Sequence, residues 1–222
     1  MFIANSTLDE LEGITDHRFK GSYHKVIPHR ELVNLLMATF DCKGWEACDP
    51  QIALSKDKLD CVFCVSIFHP EIETPWEMNA LKLAFYNSNS GHRRLRFWCG
   101  VENDTHCIPT IQVPFSRKHT SKLDLDDVLE EVLALWEQDA ADAEGVVRSL
   151  KRKRLKEEEI QSLIINAARM KSLFKYNVMS FDKDMYFENE WTSWSILCKY
   201  TEWCKRKLKP HLQMEHINYF RE

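Results

Sequence analysis

Short runs of alternating hydrophobic and polar residues fill the first half of the chain, a pattern typical of β-strands. All seven prolines except Pro210 lie before residue 115, and they divide this half into short elements. The alternating runs predict strands at 19–26, 45–54, 59–68, 81–87, 93–101 and 108–113. The run at 59–68 is apolar on both faces, which indicates a strand at the centre of a sheet.

One helix is predicted within this β-rich half. It starts around Pro28, a residue that helices favour in their first turn. Its apolar face follows helical spacing and is formed by Leu32, Leu35, Leu36 and Phe40.

In the second half of the chain the hydrophobic period becomes helical. No glycine or proline interrupts residues 147–208, so long helices are predicted there. An apolar stripe follows Asp124, whose side chain is placed to cap the helix. Further stripes predict a helix around 160–168 and another that begins at Thr192 or Ser193.

Together these elements predict an α+β fold, in which a small antiparallel sheet carries helices on one face and is followed by a long helical C-terminal half. The change of period divides the chain into a mainly β domain with one early helix, 1–122, and a helical region, 123–222, that packs on or extends from the sheet. Trp136 and Trp194 lie on the apolar stripes of their helices, and both are predicted to be substantially buried and to anchor their helices.

Composition excludes several classes of protein. The 222 residues are 44% hydrophobic and 29% charged, which rules out a disordered chain, a collagen-like fibre and a disulfide miniprotein. The longest apolar run, 61–68, is far shorter than the ~18 residues of a membrane-spanning helix. Because the N-terminus also lacks the apolar core of a secretory signal, we expect a cytoplasmic protein with no membrane contact.

The eight cysteines of such a chain are expected to be reduced. Cys61 and Cys64, with Cys99 and Cys107 or His106, have the residue types of a zinc site. However, their spacing places Cys61 and Cys64 on opposite faces of a strand. The sequence therefore predicts no metal site, and it predicts no cofactor.

Signatures of known enzyme classes are absent from the sequence. There is no glycine-rich phosphate loop, no His-Glu-x-x-His and no Gly-x-Ser-x-Gly. The acidic groups at 124–127 and 182–184 could hold magnesium, but the first is placed to cap a helix and the second to lie in a loop. We therefore predict that the protein is not an enzyme and has no catalytic residues.

The predicted hairpin of 81–87 and 93–101 carries the strongest functional signal. Alternation assigns one face of it to the core, through Leu81, Leu83, Phe85, Leu95, Phe97 and Cys99. The opposite face combines cations, which hold phosphates, with rings that stack on bases, and this suits single-stranded nucleic acid. This predicted sheet platform, with the adjacent Arg93, consists of Lys82, Tyr86, Arg94, Arg96 and Trp98. The alternative is an ordinary solvent-exposed face, or a face that the helical half buries.

Charge is unevenly distributed, although the net charge is only −4. Residues 123–144 contain nine acidic and no basic residues, whereas 145–175 contain nine basic and three acidic ones. Such blocks are usually solvated helix faces. As an outer track for a nucleic-acid strand, the basic blocks offer Lys151, Arg152, Lys153, Arg154, Lys205, Arg206 and Lys207.

Three segments resemble a phage- and plasmid-encoded family of unknown function. The turn at 87–91, Asn-Ser-Asn-Ser-Gly, is similar to its Asn-Ser-x-Asp-Gly motif, and residues 194–203 resemble its Trp-x-Leu-Tyr-Asn-Ala-Leu-Thr-Glu-Tyr segment. Ile27-Pro28 before a helix also fits. Ser90 replaces the Asp of the first motif, and Cys198 replaces the Asn of the second. The resemblance implies a mobile-element origin and a layout distantly similar to that of phage single-strand annealing proteins.

These features predict a phage or mobile-element accessory protein that binds single-stranded DNA in recombination, replication or transcription, without covalent chemistry. The alternative is a counter-defence protein that inhibits a host protein through its acidic or aromatic helical surface. A nuclease that uses the acidic groups is a third hypothesis. The partners expected in the host cell cytoplasm are single-stranded DNA, a polymerase or other host or phage protein, and further copies of the chain.

Overall fold

The computed structural model describes residues 2–11, 25–75, 78–90, 93–102, 107–109, 115–169 and 191–207. Their architecture is α+β, as predicted, with an antiparallel sheet followed by a helical second half. Within these residues, no helix combines the length and the apolar composition that a membrane crossing requires.

The sheet has seven strands in the described part of the chain. They are β1 (Phe2–Ser6), β2 (Glu46–Ser55), β3 (Asp60–Phe68), β4 (Ala80–Ser88), β5 (Leu95–Glu102), β6 (Cys107–Pro109) and β7 (Phe115–Arg117). The first six lie side by side in chain order, and β7 also pairs with β5. Every pair is antiparallel. β3 and β4 are therefore central, which confirms the interpretation of the doubly apolar run at 59–68.

The helices begin close to where the sequence predicts. They are α1 (His29–Lys43), α2 (Leu125–Arg152), α3 (Glu157–Arg169) and α4 (Ser193–Lys207), and a short 3-10 helix covers Asp9–Leu11. Asp124 caps α2 as expected, because its Oδ1 accepts a hydrogen bond from the Asp126 N–H at 2.9 Å. α1 ends at Gly44, whose φ of 70° is the left-handed conformation that glycine adopts without strain.

Two predicted strands are only partly within the described residues. Of the strand predicted at 19–26, residues 19–24 lie outside them, and Lys25 and Val26 are not in a strand. Of the strand predicted at 108–113, residues 110–113 lie outside them. The sequence pattern does not predict β1 or β7.

One hydrophobic core joins the sheet to α1, α2 and α4. Trp136 of α2 is 1% exposed, and its Nε1 donates a hydrogen bond to the Lys82 carbonyl at 3.1 Å. Its predicted burial is confirmed. The burial predicted for Trp194 in α4 is only partial, because the ring packs against the margin of the core and keeps some exposed surface.

Candidate nucleic-acid interface

The strand register confirms the predicted alternation in the β4–β5 hairpin. Phe85 lies opposite Phe97, and both belong to the hydrophobic core. On the other face, Ala84 lies opposite Trp98 and Tyr86 lies opposite Arg96. The sheet platform therefore exists as one face of two paired strands.

That face is not the accessible surface that the sequence predicts. Lys82 and Tyr86 are each 2% exposed and Trp98 is 1% exposed. All nine residues of β4 are buried. The prediction of an accessible platform is wrong for these three residues, because the central strands of this sheet are covered on both faces.

The polar groups of the platform bind carboxylates of the same chain. Lys82 Nζ lies 2.6 Å from an oxygen of Glu102, which projects from the same face of β5. The Tyr86 hydroxyl donates a hydrogen bond to Asp60 Oδ1 at 2.9 Å. Burial, and then the Asp60 charge, raise the pKa of Tyr86 well above its usual value. These contacts are those of a buried face whose charges are neutralised within the chain.

The arginines of the platform lie at its border. Arg93 and Arg94 are exposed, whereas Arg96 is half-buried. Arg93 Nη1 donates to the Tyr86 hydroxyl at 3.0 Å, and its guanidinium lies over the ring, 5.7 Å from the centroid. This arginine closes one end of the buried face, and the cations of the platform do not form a continuous surface.

The Asn-Ser turn after β4 has a structural function. Asn89 receives a hydrogen bond from the Ile27 N–H at 3.0 Å and donates one to the Ile27 carbonyl at 2.8 Å. Asn87 donates to the same carbonyl at 2.9 Å and to His29 Nδ1 at 2.8 Å. Two segments that carry the family resemblance, 27–28 and 87–91, thus fix the start of α1 against the sheet.

The two serines of this turn form a polar chain with Asp60. Ser88 Oγ donates to Asp60 Oδ1 at 2.5 Å, and Ser90 Oγ lies 2.7 Å from Ser88 Oγ. Ser88 is fully buried and Ser90 is half-buried. Ser90 therefore takes part in the support of the turn.

The second segment of the resemblance, 194–203, forms most of α4. Ile196, Leu197, Tyr200 and Trp203 are buried in the core. Cys198 is half-buried, and burial raises the pKa of its thiol to about 12. The buried side chains of this segment anchor α4 to the core.

A surface with both cations and accessible rings is formed instead where α2 meets α4. The Leu155 N–H donates to the Trp191 carbonyl at 2.9 Å, and the Ser193 N–H donates to the Lys153 carbonyl at 2.8 Å. Arg154 and Thr192 form an antiparallel bridge between these bonds. The basic end of α2 is thereby joined to the start of α4, almost forty positions later in the sequence.

Two tryptophans lie beside the cations at this junction. Lys151 Nζ is 5.5 Å from the centroid of Trp194, and Lys199 Nζ is 4.9 Å from the centroid of Trp191. Both rings are half-buried and retain accessible surface. An ammonium group within about 6 Å of a ring centroid makes a favourable cation–π contact. The rings and the cations are therefore held together.

Further basic side chains extend this surface. Arg152, Lys153, Arg154 and Lys156 are all exposed. No ion pair to a carboxylate is found for Arg152, Lys153 or Lys156 in the described part of the chain. We define the basic–tryptophan surface by its cations and rings, which are Lys151, Arg152, Lys153, Arg154, Lys156, Lys199, Trp191 and Trp194.

Sequence reasoning finds only part of this surface. It predicts Lys151–Arg154 as an outer track, but it assigns Trp194 to the core and does not predict Trp191, Lys156 or Lys199. The one available signal is the pair of tryptophans that flank the predicted start of a helix at 192–193. The predicted Lys205, Arg206 and Lys207 occupy the last turn of α4, and their side chains lie outside the described part of the structure.

Two of the cysteines considered for a zinc site, Cys61 and Cys64, lie on opposite faces of one strand. Cys61 is buried in the core, and Cys64 lies on the other face of β3, as its spacing predicts. Burial raises the pKa of Cys61 to about 12, which favours the neutral thiol. Among the described residues, no three His, Cys, Asp or Glu side chains are grouped to hold a metal ion. The acidic group at 182–184 lies outside these residues.

Comparison with models of protein families, with curated proteins and with solved structures finds no match to this chain.

Proposed function

We propose that the chain binds single-stranded DNA at the basic–tryptophan surface, as an accessory protein of a phage or mobile element that positions a strand without covalent chemistry. The observation that carries the proposal is the junction of α2 and α4. It brings the exposed cations at the end of α2 and two half-buried tryptophans, from segments far apart in sequence, next to each other.

The chemistry of this surface suits a single strand better than a duplex. Lysine and arginine neutralise phosphates in either case and release counterions. Tryptophan faces stack only on bases that are accessible, as they are in a single strand, and stacking tolerates any base. A surface with both groups should therefore bind single strands with little sequence preference.

The charges that neutralise phosphates should control the salt dependence of binding. For Lys153→Ala combined with Lys156→Ala we expect weaker binding of a labelled oligodeoxythymidine. The slope of log affinity against log salt should fall by about 0.7 for each phosphate that the variant no longer neutralises. Fluorescence anisotropy across a salt series measures both quantities.

Two double variants serve as matched controls for this experiment. Lys118→Ala with Lys122→Ala removes the same charge from exposed positions before α2. Arg94→Ala with Arg96→Ala tests the sheet platform. Both should bind nearly as tightly as the parent chain. Equal reductions of affinity in all three double variants would mean that binding is unlocalised, and no binding by the parent chain would refute the proposed function.

Removal of a ring should have a different signature. Trp194→Ala is expected to weaken binding by about 1–3 kcal/mol with little change in the salt slope, because stacking releases no counterions. Trp194→Phe retains an aromatic face and should recover part of the affinity. If Trp194→Ala changed the slope as strongly as removal of the lysines, the stacking role would be wrong.

A duplex and an RNA strand of equal length, measured in parallel, define the preferred nucleic acid.

A further inference from the structure

The surface of α2 that faces away from the core has a regular pattern of its own. Eight exposed residues follow one another at alternating intervals of four and three positions. This outer seam consists of Asp127, Glu131, Ala134, Gln138, Ala141, Gly145, Arg148 and Arg152. An average interval of 3.5 residues keeps one stripe of a helix facing a second helix along its whole length.

The charges of the outer seam are arranged for an antiparallel partner of the same sequence. Its two acidic residues lie at the N-terminal end, and its two arginines lie at the C-terminal end. A twofold axis between Gln138 and Ala141 places Asp127 opposite Arg152 and Glu131 opposite Arg148 of a second copy. A parallel arrangement would place acid against acid and arginine against arginine, which is repulsive.

The middle of the outer seam is small enough for close approach. Under the same twofold axis Ala134 lies opposite Gly145, and Gln138 lies opposite Ala141. A Cβ added at Gly145 would meet no atom within 4 Å, so packing within the chain does not require glycine there. Glycine in a helix interior is less favourable than alanine. Small side chains at a helix crossing allow a shorter distance between the axes.

We propose that two copies of this chain associate through their outer seams as an antiparallel, twofold-symmetric pair of α2 helices. Such an interface is isologous, so each favourable row occurs twice. The ion pairs already present at its ends, Arg117 with Glu131 and Glu144 with Arg148, are exposed and leave carboxylate and guanidinium groups accessible to the second copy. Each basic–tryptophan surface lies at the C-terminal end of its own α2. In the antiparallel pair the two surfaces would therefore lie at opposite ends of the paired helices, about 40 Å apart.

A charge-swap experiment tests this interface. One variant carries Asp127→Lys and Glu131→Lys, and the other carries Arg148→Glu and Arg152→Glu. Each seam then has a single sign of charge, so each variant alone should sediment as a monomer at concentrations where the parent chain is a dimer. An equimolar mixture should form a heterodimer, because every row of the antiparallel pair again joins opposite charges.

The control matches the first variant in charge and exposure. Glu71→Lys with Glu73→Lys makes the same change on an exposed loop after β3 and should leave the dimer intact. A parent chain that remains monomeric throughout the accessible concentration range would overturn the proposal, and so would a dimer that survives both reversals. Mixed variants that fail to associate would exclude the antiparallel register. Arg152 belongs to both the outer seam and the basic–tryptophan surface, but the DNA-binding test changes only Lys153 and Lys156, which lie outside the seam. The two proposals can therefore fail separately.

Discussion

Replacement of Trp136 by alanine is expected to lower the free energy of unfolding by about 3–5 kcal/mol, the range for a large aromatic residue removed from a close-packed core. The ring is 1% exposed and lies 4.9 Å from the Trp45 centroid. Its Nε1 donates to the Lys82 carbonyl of the central strand β4. The substitution therefore removes apolar packing and also leaves a buried carbonyl without this donor.

Two variants separate these contributions in urea unfolding. Trp136→Phe keeps much of the ring volume but removes the indole N–H, so it should destabilise the protein less than alanine does. Trp194→Ala removes the same side chain from a half-exposed position and should also cost less. If Trp136→Ala were no more destabilising than Trp194→Ala, the role of Trp136 as the anchor of α2 on the sheet would be contradicted.

The fold is largely predictable because its elements have strong hydrophobic periods. The apolar stripe after Asp124 and the doubly apolar run at 59–68 correspond to α2 and to the central strand β3. β7 has only three residues and β1 has five. Strands this short contain too few positions to show the alternation of hydrophobic and polar residues. Their pairing depends on neighbours in the sheet instead.

The sheet platform shows where alternation alone is insufficient. Period two correctly separates the two faces of β4 and β5 but does not show whether the polar face is covered. The sequence also indicates that this face could be neutralised within the chain. The same alternation places Asp60 and Glu102 on the same face as Lys82. Carboxylates placed beside the cations of a predicted phosphate-binding face favour internal pairing over an external ligand.

The basic–tryptophan surface is not fully predictable for a different reason. The residues 151–156 are joined to 191–193 by backbone hydrogen bonds between segments distant in sequence. The spacing of residues within each segment contains no information on such a contact. The sequence identifies Lys151–Arg154 as a basic run, but the tryptophans lie beside it only in the folded chain.

Acid is expected to destabilise the protein through His29, the histidine that supports the start of α1. The ring is fully buried, and its Nδ1 accepts a hydrogen bond from the Asn87 amide at 2.8 Å. The proton is therefore on Nε2, which donates to the Lys58 carbonyl at 3.1 Å. Protonation of Nδ1 would direct its N–H at the Asn87 N–H. Burial is the main cause that lowers the pKa of His29 from 6.5 to about 4.

The sign of the effect follows from where the proton binds. Between about pH 6.5 and pH 4 the unfolded chain binds a proton that the folded chain excludes, so stability falls with the pH through this interval. Above this interval neutral His29 makes its full contribution to the free energy of unfolding. At pH 4 about 3 kcal/mol of that free energy is lost. Urea unfolding of the parent chain and of His29→Gln across this interval checks the expectation. The glutamine variant should be less dependent on pH, and parallel curves for the two proteins would show that His29 does not couple the start of α1 to protonation.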